Sequence, residues 1–129
     1  MPYRFTSNPI GMEVLLVTSR DTKRWVLPKG NIVRGLSAPA SAAHEAEEEA
    51  GILGAASPIA IGTYRYCKRR RNGTSSMVDV DVFPLAVTTE LDEWEEQDER
   101  ERRWFLLEDA AQAVDEPDLR DLIRHFQAK

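Results

Sequence analysis

The sequence predicts an α/β layered domain in which strands flank one internal helix and two helical segments close the chain. Short apolar, β-branched runs predict the strands, an Ala- and Glu-rich segment predicts the internal helix, and apolar residues at helical spacing predict the last helix. The chain has 129 residues, 42% of them hydrophobic, which suits one domain with a core of its own. We therefore expect a single domain over residues 1–129.

Local residue patterns give the individual elements. Residues 12–18 form an apolar run typical of a buried strand, and residues 25–27 predict a second strand that ends at a proline. The internal helix is expected to begin at Ser37, a capping residue type, or at Pro39, and to end at Ala50 before Gly51. A hairpin turn is expected at residues 71–73, which contain an Asn-Gly pair. The remaining predictions are strands at 59–67, 77–88 and 103–106 and helices at 110–114 and 117–126.

Composition excludes several classes of protein. No apolar run approaches the roughly 20 residues that a membrane span needs, and residues 1–5 lack the apolar core of a signal peptide. The single cysteine, Cys67, cannot form an internal disulfide, so a reducing cytoplasm is expected. With 17 basic and 22 acidic side chains the net charge is −5, which disfavours duplex nucleic acid as a partner.

Two segments carry charges of one sign. Eight acidic residues lie between Glu90 and Arg103, and a basic segment precedes Gly73 without an acid among its members: Arg65, Lys68, Arg69, Arg70 and Arg71. Either segment can be a solvated loop. The basic one would equally suit a phosphate-rich ligand, and the acidic one a divalent cation.

The internal helix places acidic and small residues on different faces. At about 100° per residue, Glu45, Glu48 and Glu49 fall on one face while Glu47 points nearly opposite. A narrow face of alanines at positions 43, 46 and 50 would let the helix lie close to a sheet. The three carboxylates are either an ordinary solvated face or a set of oxygen ligands for Mg2+.

The surrounding residues resemble the signature of the Nudix (MutT-like) hydrolase family, which is Gly, five residues, Glu, seven residues, then Arg-Glu-aliphatic-any-Glu-Glu-any-Gly-aliphatic. A Pro-Lys-Gly loop at residues 28–30 is also similar to the family. Three positions depart from the signature: Leu36 replaces the first Glu, His44 replaces the Arg that orients the acidic side chains in the family, and Ala46 replaces a bulkier residue. The matching residues are Gly30, Glu45, Glu48, Glu49, Gly51 and Ile52.

Beyond the signature, most of the chain resembles the diphosphoinositol polyphosphate phosphohydrolase branch, which also acts on dinucleoside polyphosphates. Residues 69–71, 91–94, 102–105 and 108–111 carry this part of the resemblance. It implies an α/β/α sandwich with a mixed β-sheet between helices. It also implies a hydrolase that uses Mg2+, or Mn2+, to let water attack phosphorus in a phosphoanhydride. The expected partner is a phosphorylated small molecule, with no membrane involved and the protein acting as a monomer or homodimer.

The resemblance also implies site residues. Glu45, Glu48, Glu49 and the Gly30 carbonyl would hold the metal, with Glu48 acting as a ligand or as general base. A further ligand is expected from the acidic segment, at Asp98 or Glu99. Substrate phosphates would be bound by Lys29, Arg65, Lys68, Arg69, Arg70 and Arg71. Because Leu36 and His44 depart from the signature, a non-catalytic module that binds a nucleotide or a protein remains the alternative, as does a Nudix enzyme with another nucleotide substrate.

Overall fold

A six-stranded mixed β-sheet and a separate two-stranded hairpin form the framework of the computed structural model, which describes residues 1–7, 10–30, 32–69 and 72–127. The strands are β1 (Pro2–Ser7), β2 (Ile10–Thr18), β3 (Trp25–Val26), β4 (Ile52–Ala56), β5 (Gly62–Arg69), β6 (Ser75–Val82), β7 (Leu85–Glu90) and β8 (Arg102–Leu106). The helices are α1 (Ala38–Ala50), α2 (Leu107–Ala113) and α3 (Pro117–Arg124).

The order β3-β2-β1-β7-β4 gives the main sheet, and β8 adds to it through β2. Strand β1 runs antiparallel to β2 and parallel to β7, so the sheet is mixed. Strands β5 and β6 pair only with each other in the described part of the chain, in antiparallel register from Gly62 opposite Val82 to Arg69 opposite Ser75.

The main sheet lies between helices because β2 is apolar on both faces. Val14 and Leu16 pack in one core with residues of α2 and α3, while Leu15 and Val17 pack in a second core with α1. Successive strand residues point to opposite faces, so this run of four apolar residues serves both layers. The predicted α/β/α sandwich with a mixed sheet is confirmed.

Helix α1 forms as its local sequence predicts. The Ser37 hydroxyl accepts a hydrogen bond from the Ala40 amide, and Gly51, at φ +65°, donates from its amide to the carbonyls of Ala46 and Glu47. The left-handed conformation at Gly51 is one that glycine adopts without steric cost. The alanine face contacts the sheet as expected, since Ala46 and Ala50 are buried beside Leu15.

Two strand predictions are corrected by the structure. The predicted strand at 59–67 begins only at Gly62, and the predicted strand at 77–88 is two strands, β6 and β7, separated at residues 83–84. Pro84 cannot donate to a sheet ladder, which fits the break at this point. Strands β1 and β4 are absent from the sequence prediction. Strand β1 has a mixed sequence, and β4, although apolar, directly follows Gly51 and contains Gly54, a residue type that weakens a strand. None of the three helices in the described part of the chain is long and apolar enough to cross a membrane.

Candidate active site

The acidic face of α1 is graded in burial. Glu47 is exposed and Glu45 and Glu48 are half-buried, whereas Glu49 is only 3% exposed. This gradient follows from the helical spacing, because Glu49 lies next to the alanine face that packs against the sheet. The three carboxylates that the sequence groups together therefore lie in different environments.

A loop between β3 and α1 brings backbone atoms against two of these carboxylates. The Lys29 amide donates a hydrogen bond to Oε2 of Glu49 at 3.2 Å. A β-carbon at Gly30 would lie 2.6 and 2.7 Å from the two carboxylate oxygens of Glu45, so a larger residue there would displace this carboxyl group from the loop. The Pro-Lys-Gly loop and α1 thus form one compact arrangement of oxygen atoms and amide donors.

The carboxyl group of Glu49 has a pKa raised to about 8. Burial is the main cause, because an apolar environment disfavours the charged form. Arg100 acts in the opposite direction, while a hydrogen bond to the Glu45 carboxyl and the negative charges of Glu96 and Glu45 raise the pKa further. Two carboxyl groups in direct contact need either a shared proton or a cation between them.

Glu48 has different neighbours. Its Oε1 lies 2.7 Å from Nε2 of His44, one turn earlier on the helix. Its carbonyl accepts a hydrogen bond from the Glu96 amide at 3.0 Å, which ties the acidic segment to α1. The histidine at the position of the family's arginine thus contacts Glu48.

The donor set fits a hard divalent cation. Within residues 1–7, 10–30, 32–69 and 72–127, no three acidic, histidine or cysteine side chains are already arranged around a common cation position. Magnesium keeps several of its waters, however, and commonly binds through one or two carboxylates together with substrate phosphates. The contact between the Glu45 and Glu49 carboxyl groups, with Gly30 beside it, supplies such a pair.

A cavity of about 430 Å³ adjoins Gly30 and lies between the start of α1 and the β5–β6 hairpin. Apolar side chains of the hairpin, including Tyr64 and Val80, form much of its wall. Its charged lining consists of Lys29, Lys68, Asp79 and Asp81, and the Lys29 ammonium group lies 3.6 Å from the centre of the Tyr66 ring. The cavity therefore combines apolar surface with two lysines and two aspartates, next to the carboxylates of α1.

Comparison with known proteins decides the family. The model of the NUDIX domain matches residues 7–126. This chain belongs to the NUDIX domain family. The matched range contains the whole signature at residues 30–52.

Individual relatives of this Nudix domain agree with that assignment. Nudix hydrolase 12, mitochondrial, of Arabidopsis thaliana is 33% identical over 106 residues, which cover 77% of this chain and 50% of that protein. Diphosphoinositol polyphosphate phosphohydrolase 3-alpha of Mus musculus is 34% identical over 105 residues, which cover 79% of this chain and 60% of that protein. The chain thus spans 50–60% of the length of these two relatives.

A solved structure shows the same fold. The crystal structure of a C. elegans Ap4A hydrolase binary complex superposes on the Nudix domain with a TM-score of 0.67. The superposition covers 95% of this chain and 88% of that one at 23% sequence identity. At this identity the likeness supports the Nudix fold and nothing finer.

The basic residues predicted to bind substrate divide between two faces of the Nudix hairpin. Tyr64 and Lys68 lie on the face that lines the cavity, whereas Arg65 is exposed on the opposite face, 3.5 Å from Asp79. Side chains alternate along a strand, which separates Arg65 from its neighbours. Arg70 and Arg71 lie outside the described residues, as does the side chain of Arg69.

The acidic segment approaches α1 through residues that sequence reasoning missed. Asp98 and Glu99 are exposed, and Glu99 lies 3.7 Å from Arg20. Glu96 and Arg100 instead reach inward, with the guanidinium of Arg100 3.4 Å from Oε1 of Glu49. The one available signal was that Arg100 is a cation within a run of acids.

The end of α1 is held by two further residues that the sequence analysis did not identify. The indole of Trp94 donates a hydrogen bond to the carbonyl of Glu49 at 3.1 Å. The guanidinium of Arg102 donates to the carbonyls of Ala50 and Leu91 and stacks on Trp94, 4.0 Å from its ring centre. A cation at a helix C-terminus is favourable, and α1 has no basic residue of its own in its last turn.

Proposed function

We propose that this Nudix domain hydrolyses phosphoanhydride bonds with a bound Mg2+, or Mn2+, and acts on dinucleoside polyphosphates or diphosphoinositol polyphosphates. The observation that carries the proposal is that Glu45 and Glu49 both lie against the loop at residues 29–30, with the Lys29 amide on Glu49 and Gly30 beside the Glu45 carboxyl group, next to a cavity of about 430 Å³. We further propose that residues 1–129 act as one catalytic domain in a reducing compartment such as the cytoplasm, because Cys67 has no disulfide partner in the sequence.

The metal would be held by Glu45 and Glu49 together with the carbonyl of Gly30. When bound, the cation would neutralise phosphate oxygens and lower the pKa of the attacking water. Glu48 would complete the ligand set or accept a proton from that water, since its carboxylate is half-buried on the same helix face. Its contact with His44 holds it in place in either role.

Substrate phosphates would meet the positive charges at the cavity. Lys29 and Lys68 line it, and the basic residues of the hairpin loop would extend this surface toward longer phosphate chains. The names of two relatives support these two substrate classes. One curated relative is a diphosphoinositol polyphosphate phosphohydrolase, and one structural neighbour is an Ap4A hydrolase.

A binding module without turnover is the second candidate. It is favoured by Leu36, which is 41% exposed and supplies no oxygen ligand where the family signature has Glu. Such a module would bind a nucleotide or protein partner but release no phosphate in the presence of Mg2+. The retention of all three carboxylates on α1 favours catalysis over this alternative.

The test is phosphate and nucleotide release from a panel of substrates, with Mg2+ and with chelator. The panel spans dinucleoside polyphosphates of increasing length, a diphosphoinositol polyphosphate, a nucleotide sugar and nucleoside triphosphates. We expect chelator-sensitive release that Glu45→Gln lowers by at least about 100-fold and that the exposed control Glu47→Gln leaves unchanged. Absence of release from every substrate by the folded protein would favour the binding module.

A further inference from the structure

The guanidinium of Arg100 makes three contacts in a nearly closed environment. It lies 3.4 Å from Oε1 of Glu49, 2.8 Å from Oε1 of Glu96 and 3.2 Å from the carbonyl oxygen of Thr18. Its side chain is only 11% exposed, and that of Glu49 only 4%. Polar contacts at this depth are little screened by solvent, and removal of one partner leaves the other group buried without it.

Groups from two different segments contact the Glu49 carboxyl group. The Lys29 amide donates to Oε2, while Arg100 faces Oε1. With one oxygen held from each side, the plane of the carboxyl group is set relative to Glu45, its neighbour one turn earlier. Loss of either donor would free the Glu49 side chain to rotate about its terminal bond, whose rotational preference is broad.

The segment that carries Arg100 is anchored at both ends. The Glu96 amide donates to the carbonyl of Glu48, which joins the segment to α1. At the other end, the Glu101 amide donates to the hydroxyl of Thr18, and the Thr18 amide donates to the carbonyl of Glu101. Arg100 therefore approaches Glu49 from a fixed position, which an exposed and unattached loop would not provide.

Position 44 does not supply this contact. The family signature has an arginine there, but this chain has His44, and His44 pairs with Glu48 at 2.7 Å. The two side chains thus contact different carboxylates. Glu48 is contacted from within α1 by His44, and Glu49 is contacted from the acidic segment by Arg100.

We propose that Arg100 is the positioning residue for Glu49 and so compensates for the missing arginine at position 44. This inference rests on the proposed function insofar as Glu49 is a metal ligand. Outer residues that orient metal ligands commonly change metal affinity by 10–100-fold when removed. Arg100→Ala should therefore weaken Mg2+ binding and lower kcat, with little effect on the KM for substrate.

The experiment compares wild-type protein with Arg100→Ala, Arg100→Lys and the control Arg103→Ala. Arg103 is an exposed arginine nearby that contacts Glu101 at 3.2 Å. Arg103→Ala therefore removes the same charge as Arg100→Ala but removes no contact to Glu49. Mg2+ dissociation constants from calorimetry are expected to rise 10–100-fold in Arg100→Ala, less in Arg100→Lys, and not in Arg103→Ala. If Arg100→Ala does not fold, Arg100→Lys carries the comparison.

A measurement on the metal-free protein separates this inference from the proposed function. The NMR signal of the Lys29 amide reports its hydrogen bond to Glu49, and it should shift in both Arg100 variants but not in Arg103→Ala. An unchanged Lys29 signal together with unchanged Mg2+ affinity would overturn the role of Arg100, even in an active enzyme. A shifted signal in the Arg100 variants of a protein that neither binds Mg2+ nor turns over substrate would support Arg100 and refute the proposed function.

Discussion

Replacement of Glu49 by glutamine should stabilise the metal-free protein while it abolishes turnover. Glutamine keeps the size of the side chain and can accept the hydrogen bond from the Lys29 amide, but it carries no charge. In the wild-type protein the Glu49 carboxyl is buried and contacts Glu45, which raises its pKa to about 8. The wild-type protein must therefore take up a proton at this group when it folds at neutral pH.

The size of the effect follows from proton linkage. With a pKa of about 8 in the folded protein and 4.5 as the ordinary value, protonation of Glu49 costs wild-type folding about 3 kcal/mol at pH 7 and about 1 kcal/mol at pH 5. The wild-type protein loses stability as the pH rises, because a raised pKa means that the folded state binds the proton more tightly than the unfolded state does. The stabilisation by that proton is complete below pH 4.5 and is lost as the pH rises through about 8.

Urea unfolding in the presence of EDTA at pH 5, 7 and 8 measures this difference. The free energy of unfolding of Glu49→Gln should exceed that of wild type by about 3 kcal/mol at pH 7, and this difference should grow between pH 5 and pH 8. Glu47→Gln is the matched control, because Glu47 lies exposed on the same helix and should show no such gap.

A gap that is absent or independent of pH would refute the account of Glu49 as a buried carboxyl with a raised pKa. Turnover can be measured on the same samples with Mg2+ present. Rates near those of wild type in Glu49→Gln would refute its assignment as a metal ligand, whatever the stability data show.

Two further predictions concern the helix end and the basic loop. Gly51→Ala should destabilise the protein by about 2–4 kcal/mol in urea unfolding, because φ is +65° and the new β-carbon would lie 2.7 Å from Trp94. Gly35→Ala, at φ +87° with no described atom within 4 Å, is the control, and an equal loss there would exclude close packing as the cause. Joint replacement of the loop arginines by alanine should raise KM more for longer polyphosphates than for shorter ones, and an equal rise would remove the loop from specificity. These residues are Arg69, Arg70 and Arg71.

Helix α1 could be predicted because its signals are local. Ser37 caps its start and Gly51 ends it, and both act on backbone groups within one turn. The spacing of Glu45, Glu48 and Glu49 also follows from helix geometry alone. The acidic face of α1 is therefore a property that the residue order itself predicts.

The strands were predicted less well because their pairing is not local. Apolar and polar residues alternate over 78–82 and an apolar run follows at 83–87, so the segment is predicted as one strand, but β6 pairs with β5 whereas β7 joins the main sheet. The strand β1 has a mixed sequence, and its place between β2 and β7 depends on partners elsewhere in the chain.

By itself the sequence determined the carboxylate helix, the glycine-containing loop and the family resemblance, because each is a matter of residue type and spacing along the chain. Only the tertiary structure decided which carboxylate is buried and which cation it meets. Glu49 is buried because the second core closes over the alanine face beside it, and Arg100 reaches it because the acidic segment is hydrogen-bonded to both α1 and β2. Contacts between distant segments depend on how whole elements pack, and a linear pattern of charges does not encode that packing.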